Sequence, residues 1–269
     1  MSHQQQYFSR RTFVQLAAVG LCLPAAFATH AQVAIAVSMN RTARFRALSQ
    51  RSAKAYVQLL LNVMPDATKS TIAATQRSML SGLDELALGN YSAEVAQNIA
   101  AIKVEAAALT TLLATVPKRD MLVAVSVQAD RLTEQANKTT ELLASQTKSG
   151  NAKIVAIADK QRMLSQRLAK NYFMQAANLN SLPIRQQLAS DRAEFKAGLA
   201  MLKDAPISTA SIRNDIELCT SQWFLFETSI DKPRSRPFVM DDVAVSSERL
   251  LDVTSSLSSH YEKAVKDVV

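Results

Sequence analysis

The sequence predicts an all-α protein, and three observations carry that expectation. Turn formers are scarce, with five glycines and seven prolines in 269 residues, too few for a many-stranded sandwich or barrel. Apolar residues recur at helical spacing through long Ala-, Leu-, Ser- and Gln-rich stretches. One stretch is repeated: Arg46-Ala-Leu-Ser-Gln-Arg-Ser-Ala-Lys-Ala-Tyr56 returns 116 residues later as Arg162-Met-Leu-Ser-Gln-Arg-Leu-Ala-Lys-Asn-Tyr172, with eight of eleven positions identical.

The elements follow in order. Ser9-Arg10-Arg11-Thr12-Phe13-Val14 sets paired arginines before a modest apolar run, Leu16 to Ala28, and then Thr29-His30-Ala31. This resembles a twin-arginine signal peptide over residues 1–31, cleaved after Ala31. The apolar run is short and contains Gln15 and Pro24 nearby, so it falls below spanning length.

Beyond it, helix-period segments cover 39–63, 70–87, 92–115, 119–147, 153–181, 184–203, 208–231 and 240–267. Pro65, Gly89-Asn90 and Pro117 separate the first four; Pro183, Ala205-Pro206 and the Pro233 to Pro237 turn separate the last four. Ser149-Gly150-Asn151 marks the midpoint, although segments four and five could also run on as one rod. The expected architecture is two tandem four-helix bundles, residues 32–149 and 150–269.

Composition narrows the chemistry. The chain is 48% hydrophobic and 20% charged, which excludes disorder. Its glycines (Gly20, Gly82, Gly89, Gly150, Gly198) never cluster, so neither a P-loop nor a dinucleotide fingerprint can be built. Loss of residues 1–31 removes Arg10 and Arg11 and no acid, lowering the formal charge of +8 by two, and leaves one cysteine, Cys219, and one histidine, His260. An intramolecular disulfide is then impossible, and a His/Cys zinc site or a Ser-His-Asp triad would have to pass through His260 alone, which reads as a surface histidine. There is no Cys-x-x-Cys-His haem attachment and no Glu-x-x-His pair of the di-iron bundles, so no cofactor and no enzymatic role are expected. Lysines and arginines are interleaved with acids, which argues against nucleic acid. The methionines and the Phe224-Leu225-Phe226 run beside Trp223 read as core filler.

On a helical wheel of the second copy, Ile157, Leu164, Leu168 and Tyr172 form one stripe. Arg162 lies off it beside Ala169 and Phe173, while Arg167 is rotated 140° from Arg162 onto the opposite flank with Met163 and Met174. One helix therefore cannot offer both arginines to one ligand. A guanidinium between a small residue and an aromatic is partly desolvated and seeks a planar anion or a carboxylate. The plainer alternative is that these arginines pair with acids of neighbouring helices, such as Glu94, Asp130, Glu134, Asp215 or Glu248, and hold the bundle in register.

The stretch Ile157-Ala-Asp-Lys-Gln-Arg-Met-Leu-Ser-Gln-Arg-Leu-Ala-Lys170 resembles the first helix of the PilJ/NarX-type sensor domain, the periplasmic ectodomain of type IV pilus transducers and nitrate/nitrite-responsive kinases. The resemblance is close over about fifteen residues of the second copy and looser in the first, where Ala47 replaces the methionine and Arg44-Phe45 the usual lead-in. It implies a four-helix bundle whose first box arginine binds an anion near a dimer interface. That role falls on Arg162 and Arg46, with Ser165, Gln166, Ser49 and Gln50 as polar neighbours and Arg167 and Arg51 completing the candidate set. Arg162 is expected to be half-shielded, its charge open to a ligand. The nitrate branch usually carries a glycine before the box, where this chain has Asp159 and Lys160.

The resemblance further implies a periplasmic receptor for a small oxyanion. Because no transmembrane helix or transmitter follows the bundles, it would hand its state to a membrane receptor or kinase, with a homodimer as one possible assembly. An interaction module that docks on a pilus, chemoreceptor or kinase ectodomain without a small ligand is the alternative.

Overall fold

The computed structural model describes residues 23–146, 151–232 and 237–268, and among these every regular element is a helix. They are α1 (Leu23–Leu60), α2 (Pro65–Ala87), α3 (Ala93–Leu113), α4 (Met121–Ser145), α5 (Ala152–Ala176), α6 (Leu182–Lys203), α7 (Ala210–Ile230) and α8 (Pro237–Val268). The fold is all-α, as the sequence predicts. The paired arginines of the expected signal, Ser149-Gly150 and Pro233 lie outside the described residues. α1 is continuous from Leu23 past Ala31, the expected cleavage point, into the repeated motif. α4 closes at Ser145 and α5 opens at Ala152, and the joint between them, residues 147–150, where the sequence left one rod or two helices open, lies outside the described residues.

Helix ends follow local chemistry. Pro65 and Pro183 open α2 and α6, where the missing N–H of proline has no intrahelical partner to lose. Ser92 and Thr209 cap α3 and α7 by accepting from Val95 N and Ile212 N. The turns after the motif helices repeat as faithfully as the motif. Asn62 and Asn178, again 116 apart, both adopt the left-handed conformation, with φ of 55° and 62°. Val63 N donates to Gln58 O and Leu179 N to Met174 O, both at 2.9 Å, the long bond of a Schellman motif. Asparagine stands where glycine usually does because its short polar side chain tolerates that region.

Each half repeats one pattern of neighbours. α1 packs on α2 and α4, and α4 on α3; α5 packs on α6 and α8, and α8 on α7. The helices that carry the repeated motif then pack on each other, so α1 and α5 form the central pair of the molecule. One continuous apolar core takes residues from all eight helices, including Phe45, Tyr56, Leu132, Leu164, Phe195 and Leu257. A helix with neighbours on three sides has little outer face: along α5 every residue from Gln161 to Gln175 is buried except the half-buried Arg167. The stripe Leu164, Leu168 and Tyr172 is buried as expected, but so are the polar residues between them. The aromatic run of α7 is only partly core. Trp223 stacks on Phe195 at 4.3 Å and Phe226 is buried, whereas Phe224 and Leu225 are exposed.

Candidate functional site

Polar side chains buried at a helix–helix seam need partners, since an unmet buried donor or acceptor costs about 1–3 kcal/mol. The repeated motif places a dozen such groups between α1, α5 and the helices that flank them, and most of its hydrogen bonds are internal. Ser49 Oγ donates to Arg46 O at 2.9 Å and lies 2.8 Å from Thr133 Oγ1. Gln50 Nε2 reaches Asp130 Oδ1 and Thr133 Oγ1 at 2.9 and 2.8 Å. Ser165 Oγ donates to Arg162 O at 2.8 Å, and Gln166 Nε2 to Ser247 O at 2.9 Å. All four side chains are fully buried. Ser49 and Gln50 tie α1 to α4 and Gln166 ties α5 to α8, whereas Ser165 bonds within α5.

The second arginine of each copy is held by a carboxylate of the chain. Arg167 meets Asp191 of α6 through two donors, Nε at 2.8 Å and Nη2 at 2.5 Å, and Asp191 is fully buried. Burial alone would pull the Arg167 guanidinium down, but the Asp191 hydrogen bond and charge outweigh it and raise its pKa. Arg51 pairs with Glu248 of α8. The wheel geometry holds, in that Arg162 and Arg167 point to different neighbours.

The motif lysines, which the sequence did not single out, are the most deeply buried cations. Lys54 on α1 donates to Ser247 Oγ at 2.9 Å and to Glu248, both on α8. Lys170 on α5 donates to Asp130 of α4 at 2.9 Å. Each half thus supplies the counter-ion for the other half's lysine. Desolvation pulls both lysine pKa values down, with the facing carboxylate opposing it.

The first arginine of each copy lies in the seam itself. Arg162 is buried, and its Nη2 is 2.5 Å from Asp159 Oδ1, one turn earlier on the same helix, and 3.5 Å from Asn40 Oδ1 of α1. Ser258 Oγ of α8 also donates to Asp159. The expectation of an open charge at Arg162 is therefore corrected: a native carboxylate clasps it. Asp159, which the sequence marked only as a departure from the nitrate branch, is that carboxylate.

Arg46 has no such partner on its own helix, because the position equivalent to Asp159 is Ala43. Its Nη1 donates to Asn137 Oδ1 of α4 at 3.1 Å and its Nε to Ala43 O at 3.4 Å. Nη2 of Arg46 and Nε of Arg162 are buried without a hydrogen-bond partner among the described residues. Burial lowers the Arg46 pKa, the charge of Arg162 pushes the same way, and Asp159 and Glu141 oppose them. Asp159 is thus bonded to Arg162 alone and acts on Arg46 only through its charge, with the exposed Glu141 at the rim of the small cleft beside Arg46.

The remaining candidates resolve simply. His260 Nδ1 is 2.6 Å from Asp215 Oδ2, and the two form a half-buried pair whose histidine side chain is 41% exposed. Cys219 is buried, and burial followed by the nearby Asp215 pushes its thiol up to about 12, which makes it inert. No described helix is long and apolar enough to cross a membrane. No protein-family model matches this sequence, and no curated protein or solved structure matches it either.

Proposed function

We propose that the chain is a periplasmic receptor module of the PilJ/NarX-like kind that binds a small oxyanion, nitrate or nitrite in type, between α1 and α5. It would pass its ligand state to a membrane receptor or kinase. One observation carries this reading: the first arginines of the two motif copies, Arg46 and Arg162, are buried on the packed α1–α5 pair, each with a buried N–H that has no partner among the described residues, and the charge of Asp159, which holds Arg162, also acts on Arg46. In the family that the motif resembles, the anion-binding arginine lies near a dimer interface. A chain with two copies of the helix, packed on each other, carries two such arginines in one molecule. A buried cation in excess of its counter-ions is costly, and a planar oxyanion that accepts from Arg46 Nη2 and Arg162 Nε would relieve it. Asp159 acts here as a resident anion with which the ligand competes.

The second reading, a helical module that docks on a partner without a small ligand, is favoured by the Asp159–Arg162 pair and by exposed Leu218, Phe224 and Leu225 on α7. Calorimetric titration of the purified chain with sodium nitrate and sodium nitrite, against chloride, separates the two. Saturable heat with nitrate or nitrite is expected, weakened at least tenfold in Arg46→Ala and strengthened in Asp159→Asn, where the internal competitor is gone. Ligand at a hundredfold its Kd should add about 2.7 kcal/mol to stability. Absence of saturable heat with both anions, in the native chain and in Asp159→Asn, overturns the receptor reading and leaves the docking module.

A further inference from the structure

On the Arg162 side of the seam, a cleft of about 470 Å³ opens between α1, α2 and α8. That is a small-molecule volume, far larger than a nitrate ion requires. Its lining is of two kinds. Ala47, Leu48 and Leu251 give an apolar wall, with Phe45 packed behind. Gly82 of α2 lets that helix close tightly on Phe45, where a Cβ would stand 3.1 Å from Phe45 Cζ. Around this wall stands a ring of charge, most of it already neutralised. Arg41 is paired with Glu85, Arg51 with Glu248 and Arg162 with Asp159.

Arg44 of α1 and Arg77 of α2 are different. Both are exposed, both line the cleft, and neither has a hydrogen bond or ion pair among the described residues. The facing carboxylate without a partner is Asp252 of α8, so the uncommitted charge of the cleft is positive. Ser78, Ser81 and Ser255 supply hydroxyls between them. A second cleft, about 570 Å³ near Asp130, carries Glu105 and Glu134 against Arg131 and Lys138, and holds no such surplus.

We propose that this cleft binds a small organic anion, an apolar body bearing a carboxylate or a phosphate ester, with Arg44 and Arg77 gripping the acidic group and Leu48 and Leu251 covering the body. Two guanidiniums from different helices can take a planar or tetrahedral acid from two sides, and each is free to do so without breaking an internal pair. The apolar wall explains why an inorganic ion alone would leave the cleft largely unfilled. Arg162 belongs to both this lining and the seam, yet the inference does not rest on an oxyanion reaching the seam.

The test is equilibrium titration of the full chain with 2,6-naphthalenedicarboxylate and 2-naphthyl phosphate, with 2-naphthamide as the neutral counterpart. Saturable binding of one or both acids and none of the amide is expected, and which acid binds tells carboxylate from phosphate. Affinity should fall at least tenfold in the Arg44→Ala/Arg77→Ala double variant and in Ser78→Trp, which fills the cleft from an exposed position. Both sets of changes lie on the surface, so unchanged circular dichroism and melting are expected. Failure of both acids to bind saturably, or binding that ignores both variants, overturns the inference. Its fate is separable from that of the seam: Arg46→Ala should weaken the nitrate response at least tenfold while leaving binding of the naphthyl acids intact.

Discussion

Asp191 shows how a single buried group decides what its neighbours can do. Its carboxylate is fully buried, takes both donors of Arg167 and also accepts from Gln187 Nε2 at 2.7 Å. Removing one partner of such a pair leaves an uncompensated buried charge, which costs about 3–5 kcal/mol. Asp191→Ala should therefore lower stability by about that amount in urea unfolding, whereas the double variant Asp191→Leu/Arg167→Met should recover most of the loss. If the single variant were as stable as the native chain, the pair would be incidental. At this scale the sequence was legible in part. The motif named Arg46, Arg162, Arg51 and Arg167, and the five acids proposed as structural partners included Glu248, which holds Arg51. Asp159 and Asp191 were not among them: the first lies on the same helix as Arg162, and the second on a helix with no repeated motif to draw attention to it. Lys54 and Lys170 passed unnoticed because a lysine among polar residues reads as solvated until packing shows three helices around it.

At the scale of the element, α1 and α5 owe their likeness to a shared environment. Both are core helices with neighbours on three sides, so apolar, small and hydrogen-bonding positions are constrained around the whole circumference. A hydrophobic stripe is the mark of a helix with one buried face, and such a pattern understates burial when serines, glutamines and lysines are themselves interior. The register between these helices and their neighbours is fixed by crossed ion pairs, Lys54 to Glu248 and Lys170 to Asp130. Their pH signature has a definite sign. Burial alone would raise the Glu248 carboxyl, but Lys54 and Arg51 outweigh it and hold its pKa below the usual value. A carboxylate depressed in the folded state contributes stability in full above its unfolded pKa, roughly 4.3, and loses it as pH falls through the folded value. The gap in urea midpoint between the native chain and Glu248→Gln should accordingly be widest near about pH 6 and close as pH drops below about 4. A gap that stayed constant down to strong acid would show that Glu248 carries no charge-dependent stability.

At the scale of the whole molecule, the internal repeat predicts two four-helix halves, and the same pattern of helix neighbours recurs along the two halves of the chain. What no repeat could foretell is how the halves meet, because an α1–α5 contact depends on which faces of two similar helices are left uncovered by their own halves. That contact merges the two sets of helices into one apolar core. The crossed lysines add to the merger, since each half alone would strand a buried cation away from its carboxylate. Unfolding one half would expose the central helix of the other, so the two cannot melt independently. Calorimetry of the full chain should show one transition, with equal calorimetric and van't Hoff enthalpies. Leu132→Ala in α4 and Phe195→Ala in α6 each empty a fully buried position, one in either half. Each should cost about 2–5 kcal/mol and move that same transition downward. Two transitions, each answering only to the substitution in its own half, would instead mean that α1 and α5 touch without coupling. The seam would then be too weak a frame to hold two guanidiniums in place for an anion.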